Sequence, residues 1–279
     1  MVRDPTKPLS NQALKQLYER VYRQGHRDFF SKYAAGMDLS ENDRIVLGAA
    51  DWTDKTVLDV GCGSGRVISL IAEAGARQAI GIDYAGPAVE EARSTYRAPN
   101  LSFHCAAFTE WRSSVDIIVS CGTIEHTDSP QETLKRMEDL IPAGGQLVLT
   151  CPHFLNIRGF IWMSLQTLLG VPMSLSDLHF ISPFDIQTWI QKTSLRIVRH
   201  DTFDESKANG SLMLTDLRKR LSNALRDAGL DNTHVDEFVE WLGKVVHYRS
   251  ETAAPILDGA TALYVMEKAP SAAPSEIAS

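Results

Sequence analysis

From Thr56 onward the chain alternates short apolar runs with longer stretches whose apolar residues recur every three or four positions. Thr56–Val60, Gln78–Asp83, Leu101–Cys105, Val115–Ser120 and Gln146–Thr150 are rich in β-branched and apolar residues, which predicts buried strands. Between them the spacing turns helical: from Arg66, with Val67, Ile68 and Ile71 on one side and Gly75 as a stop, then over Pro87–Tyr96 and Gln131–Leu140. A further helix is predicted over Phe184–Thr193, and two more strands over Leu195–Thr202 and Thr261–Met266. Strands alternating with helices predict an α/β fold built on a seven-stranded sheet with helices on both faces.

Two segments fall outside that alternation. Residues 9–36 read as helical, with Leu14, Leu17, Val21 and Tyr22 on one stripe and Tyr18, Phe29, Phe30 and Tyr33 around it. Leu212–Ala228 carries Leu214, Leu217, Leu221 and Leu225 at helical spacing and stops at Gly229. Thr233 and Asp236 resemble a capping box opening another helix with Val235, Phe238, Val239, Leu242 and Val246. The chain thus divides into an N-terminal helical cap (1–45), an α/β core (46–204 with 260–269), a helical insertion before the last strand (205–259) and a disordered tail of small residues (270–279). The insertion has two readings, a wall over the substrate or a homodimer contact. Phe154 to Val171 is the most apolar stretch, but Asn156, Arg158, Ser164, Gln166 and Thr167 interrupt it, so it predicts a buried or pocket-lining helix rather than a membrane span. An interfacial membrane helix is its alternative.

Composition narrows the partners. The 279 residues carry 28 Lys and Arg against 35 Asp and Glu, a net charge of −7, which gives no support to broad phosphate-backbone binding; no nucleic acid is expected. Cys62, Cys105, Cys121 and Cys151 form no Cys-x-x-Cys pair, so neither a zinc site nor a disulfide framework is expected. The polar start, Arg3 to Pro8, is unlike a secretory signal, and the cytoplasm is the expected compartment.

The chemistry gathers at strand ends. After Asp59 and Val60 come Gly61, Gly63 and Gly65 at every second position, then a helix. Such a loop predicts a nucleotide-type site in which backbone amides approach a ligand that side chains would push away. A dinucleotide fingerprint needs Gly-x-Gly-x-x-Gly, and the place of its third glycine is Arg66 here. Asp59, just before the loop, can meet a cationic amino group. Asp83 ends the second strand, where a carboxylate can accept hydrogen bonds from two ribose hydroxyls, and Tyr84 can stack on adenine.

Thr56 to Gly65 resembles motif I of the class I S-adenosylmethionine-dependent methyltransferases. The run of Glu125-His126, Asp128-Ser129-Pro130, a helix, Pro142-Ala143-Gly144-Gly145 and a strand is a second resemblance. Together with Asp83 these cover most of residues 55–152. The resemblance implies a Rossmann-like core and S-adenosyl-L-methionine as cofactor. Implied cofactor contacts are Asp59, Gly61, Cys62, Gly63, Gly65, Asp83 and Tyr84, with Ala107, Phe108, Cys121 and Gly122 at later strand ends. Tyr22 or His26 of the cap would close over them. Ala107 stands where the family often carries an Asp for the adenine amino group, so backbone at Ala107 and Phe108 must serve instead. A looser resemblance of the segment from His179 to Pro183 points to the small-molecule branch, implying a hydroxyl or amine acceptor.

For a hydroxyl acceptor a histidine base is the natural choice. His126, His153 and His179 all follow strand ends or loops near the cleft, with Asp177 a candidate orienting partner for His179. Each also reads as a packing histidine, and the pattern does not rank them. Cys121 follows Ser120 and Cys151 precedes Pro152, unlike a nucleophilic cysteine of base-modifying enzymes. Two alternatives stay open: a protein or RNA methyltransferase docking its target on 205–259, and a non-catalytic cofactor-binding subunit.

Overall fold

The computed structural model describes residues 11–24, 39–171, 179–252 and 259–270. The expectations placed on His26, Phe29, Phe30, Tyr33 and Asp177, and the tail beyond Pro270, lie outside the described residues. In chain order come α1 (Asn11–Gln24), α2 (Glu41–Leu47), β1 (Thr56–Val60), α3 (Arg66–Glu73), β2 (Gln78–Asp83) and α4 (Gly86–Thr95). They are followed by β3 (Leu101–Cys105), β4 (Ile117–Cys121), α5 (Pro130–Leu140), β5 (Gln146–Pro152) and α6 (Ile157–Leu169). The last are α7 (Pro183–Ile190), β6 (Leu195–Phe203), α8 (Glu205–Ala208), α9 (Ser211–Asp227), α10 (Val235–Thr252) and β7 (Thr261–Lys268).

The seven strands form one sheet in the order β3-β2-β1-β4-β5-β7-β6. β1 to β5 run parallel, and β7 lies antiparallel between β5 and β6. Strand order reverses between β1 and β4, so their carboxyl ends open a crevice there, the usual ligand position in such sheets. β1 is covered on both faces, and this is why it reads as an unbroken apolar run. On one side Val46, Ile68, Ile71 and Val89 from α2, α3 and α4 pack against Val57 and Val119. On the other, Leu134 and Met137 of α5 and Ile186 of α7 pack against Leu58, Ile118 and Tyr264. Each such apolar side chain contributes about 1.5–3 kcal/mol on burial, so the strand tips sit on a rigid base.

A third apolar cluster stands beside the sheet. Phe154 and Trp162 pack with Met213, Leu217 and Leu221 of α9 and with Val239 and Leu242 of α10. This corrects the expectation for residues 154–171. Only Gly159 and Trp162 of α6 are buried, Phe160 and Leu168 are 60% and 77% exposed, and no residue of the helix lines the cleft. In the described part of the insertion, α9 and α10 bury their apolar stripes against α6. Among the described residues, none of 205–252 borders the cleft. The Thr233–Asp236 capping box is also absent. Thr233 donates its amide and hydroxyl to Asp231 at 2.9 Å, and Asp236 pairs with Arg218. Asp231, two residues upstream, offers Thr233 a closer local acceptor. No helix among the described residues is long and apolar enough to cross a membrane.

Candidate active site

Two lobes of one cleft open at the strand tips, of about 380 and 670 Å³, sharing Gly61, Asp83, Tyr84, Thr123 and His126 in their walls. The smaller lobe lies over the glycine loop. The larger reaches Ala107, Phe108 and the start of α5.

Gly61 has φ +77°, and a Cβ there would lie 2.3 Å from Oγ1 of Thr123. Only glycine allows the turn and the close approach together. Four of the loop's amides, however, are taken up within the protein. Gly61 and Cys62 both donate to the Ile82 carbonyl at 2.9 and 3.0 Å, Gly63 to Asp83 Oδ2 at 3.0 Å, and Gly65 to the Cys62 carbonyl at 2.9 Å. β2 thus takes three of the amides expected to face a ligand, those of Gly61, Cys62 and Gly63.

What the small lobe presents instead is acceptors. Asp43, Asp59, Asp83 and Glu125 line it, and among its described lining residues only Arg66 carries a permanent positive charge. Such a lobe disfavours a pyrophosphate and suits a cation. Asp59 is 2% exposed, and burial together with the neighbouring Asp83 raises its pKa to about 7. Burial also raises Asp83, against the opposing amides of Ala85 and Gly63 that fix its carboxylate at 2.8 and 3.0 Å. The same desolvation pushes the thiols of Cys62, Cys121 and Cys151 up, so they stay neutral and inert at pH 7.

Helix α1 roofs the cleft. The hydroxyl of Tyr22 lies 2.7 Å from where a Cβ on Gly63 would be, and burial raises its pKa. Tyr18 OH is 3.4 Å from Nε2 of His126, and Lys15 Nζ stands 5.8 Å from the Tyr84 ring centre. Tyr84 itself is raised to about 12, chiefly by burial. In the larger lobe, Arg136 of α5 donates to the Phe108 carbonyl at 3.2 Å and to that of Trp111 at 2.5 Å. It thereby holds the 107–111 turn as a wall.

The three histidines separate. His126 stands in the wall shared by both lobes, with Nε2 also 3.9 Å from Glu125 Oε1. His179 turns away: its ring donates from Nε2 to the Thr127 carbonyl at 2.9 Å and its amide to the Glu125 carbonyl, so it braces the turn carrying His126. His153 is buried beside His200, ring centres 6.3 Å apart, and borders neither lobe. All twelve residues expected at the cofactor except Gly65 line one lobe or the other; Gly65 instead packs beneath the loop against Phe103. Tyr18, Thr123, Glu125 and Arg136 were not expected there. Glu125 could have been found from its place beside His126, whereas Arg136 gives no local signal.

Comparison with known proteins agrees with the motifs. Residues 57–145 match a family described as a methyltransferase domain. The chain is 36% identical over 114 residues to a tRNA U34 carboxymethyltransferase of Idiomarina loihiensis, covering 38% of this chain and 35% of that protein. It is 27% identical over 157 residues to a ubiquinone biosynthesis O-methyltransferase of Coxiella burnetii, covering 52% of this chain and 64% of that one. The chain thus spans about one to two thirds of the length of these relatives. The fold is shared with a putative S-adenosylmethionine-dependent methyltransferase from Listeria monocytogenes, with TM-score 0.52 and 15% identity over 83% of this chain and all of that one. Motif order, sheet order and matched domain agree: residues 57–145 match a methyltransferase domain, set in a fold shared with S-adenosylmethionine-dependent methyltransferases.

Proposed function

We propose that the protein binds S-adenosylmethionine across both lobes and methylates a hydroxyl of a small molecule, with His126 as the base. The observation that carries this reading is the acceptor-lined small lobe over a glycine loop, a site chemically matched to an ammonium and a sulfonium. When bound, the cofactor supplies a methyl group activated on a sulfonium, with a neutral thioether as leaving group. Asp59 receives the amino group, and Asp83, held by two amides, receives the ribose hydroxyls. The turn at Ala107 and Phe108, braced by Arg136, walls the adenine. His126, beside Tyr18 and Glu125, would take the proton of the acceptor's hydroxyl. Tyr22 and α1 exclude water from above. An amine acceptor would use the same geometry with less need of the base.

The similarity to tRNA-modifying relatives supports a second reading, an RNA acceptor. The net charge of −7 weighs against it. One experiment separates them: transfer of a labelled methyl group to total tRNA and to a metabolite fraction, with calorimetry against S-adenosylhomocysteine and NAD. Label in the metabolite fraction with binding of S-adenosylhomocysteine supports the proposal. Label confined to tRNA overturns the small-molecule acceptor, and binding of NAD alone overturns the cofactor.

A further inference from the structure

Helix α10 carries two apolar stripes. Val235, Val239 and Leu242 form the inner one, buried in the cluster with α6 and α9. Phe238 and Trp241 lie on the outer side, 38% and 56% exposed, with their rings stacked 6.2 Å apart. Val245, half-buried, follows Trp241 by four residues. Spacings of three and then four are those of a seam along which one helix packs lengthwise on another. Stacked rings fix each other's orientation, so docking costs them little side-chain freedom.

The charges beside this stripe say which partner fits it. We propose that the outer face of α10 is a homodimer contact, with the α10 helices of two copies packed antiparallel about a two-fold axis near Trp241. The helix is acidic before Trp241, at Asp236, Glu237 and Glu240, and turns basic after it, at Lys244 and His247. Asp236 is drawn aside to Arg218 of α9. Glu237 and Lys244, seven residues apart, share the flank of the aromatic stripe. A parallel copy in register would lay acidic half along acidic half. An antiparallel copy sets Glu237 of each chain beside Lys244 of the other, and the two-fold axis makes that pairing twice. Glu237 now meets His234 at 3.2 Å, an exposed pair that contributes little and is readily exchanged. The two aromatics offer roughly 300–500 Å² per copy, below the ~800 Å² per partner of a standard interface, so the dimer is a weak one with micromolar dissociation. The contact is independent of the reaction at the cleft.

Sedimentation equilibrium of the full chain from about 1 to 200 μM at low salt tests it, with circular dichroism as a check that each variant keeps its helices. The unaltered protein exchanges between monomer and dimer. Trp241→Glu raises the dissociation constant by about 30-fold or more. Glu237→Lys and Lys244→Glu each raise it about 3- to 10-fold, and the double variant, which restores opposite charges across the axis, returns to the original value. A protein that stays monomeric throughout, a dimer indifferent to Trp241→Glu, or single reversals that the double variant fails to cancel would each overturn the contact. Sedimentation of monomeric protein with phosphatidylcholine vesicles, lost in Trp241→Glu, would assign the stripe to a membrane surface and overturn it as well.

Discussion

Asp59 makes cofactor affinity depend on pH, with a sign that follows from its burial. In the free protein its pKa is raised to about 7, by desolvation first and by Asp83 second. An arriving ammonium favours the carboxylate and pulls that pKa back toward its ordinary range, so binding below pH 7 must first remove a proton. Apparent affinity then falls about tenfold per unit of pH, or about 1.4 kcal/mol, reaching roughly tenfold at pH 6 and a hundredfold at pH 5. Above about pH 8 the ligand's own α-amino group loses its charge, and affinity falls again. The maximum therefore lies between about pH 7 and 8. Titration calorimetry with S-adenosylhomocysteine in buffers of different ionisation enthalpy measures both the affinity and the proton released, about half a proton at pH 7. Asp83, raised in the same direction, adds slope of the same sign; the neighbouring thiols stay neutral over this range. Asp59→Asn should remove most of the slope and most of the proton release. A flat affinity between pH 7.5 and 5.5, or the same slope in Asp59→Asn, would refute the coupling.

Other outcomes follow from the same geometry. Because the folded pKa of Asp59 exceeds its unfolded value, its contribution to stability is full below about pH 4 and lost as pH rises through 7. Asp59→Asn should accordingly raise the melting temperature of the ligand-free protein by several degrees at pH 8 and little at pH 4. His126→Ala should lower kcat by about 10²–10⁴-fold while S-adenosylhomocysteine binds within a few-fold of normal, as single-turnover transfer and calorimetry will report. Gly61→Ala combines a positive φ with a clash on Thr123 and should cost about 1–3 kcal/mol in denaturant melts and abolish cofactor binding. Arg136→Ala, which frees the Phe108 and Trp111 carbonyls, should weaken 5′-methylthioadenosine by about 10-fold or more.

Local pattern alone carried much of this protein. The apolar run at Thr56–Val60, the three glycines after it and the carboxylate at Asp83 predict strand, turn and pocket because their causes are local: buried strands need β-branched runs, and a tight turn needs glycine. The sevenfold alternation of strand and helix is legible for the same reason. What could not be read along the chain depends on partners distant in sequence. His126, His153 and His179 look alike in pattern, and only the sheet order and the 179-to-125 contact turn one into the cleft, bury another and make a brace of the third. The direction of the loop amides was decided by β2, whose Ile82 carbonyl and Asp83 carboxylate lie within 3.0 Å. The packing of α9 and α10 was decided by α6, which offers them an apolar surface through Phe154 and Trp162. Hydrogen bonds and apolar burial each need a second partner, and tertiary structure chooses which one that is.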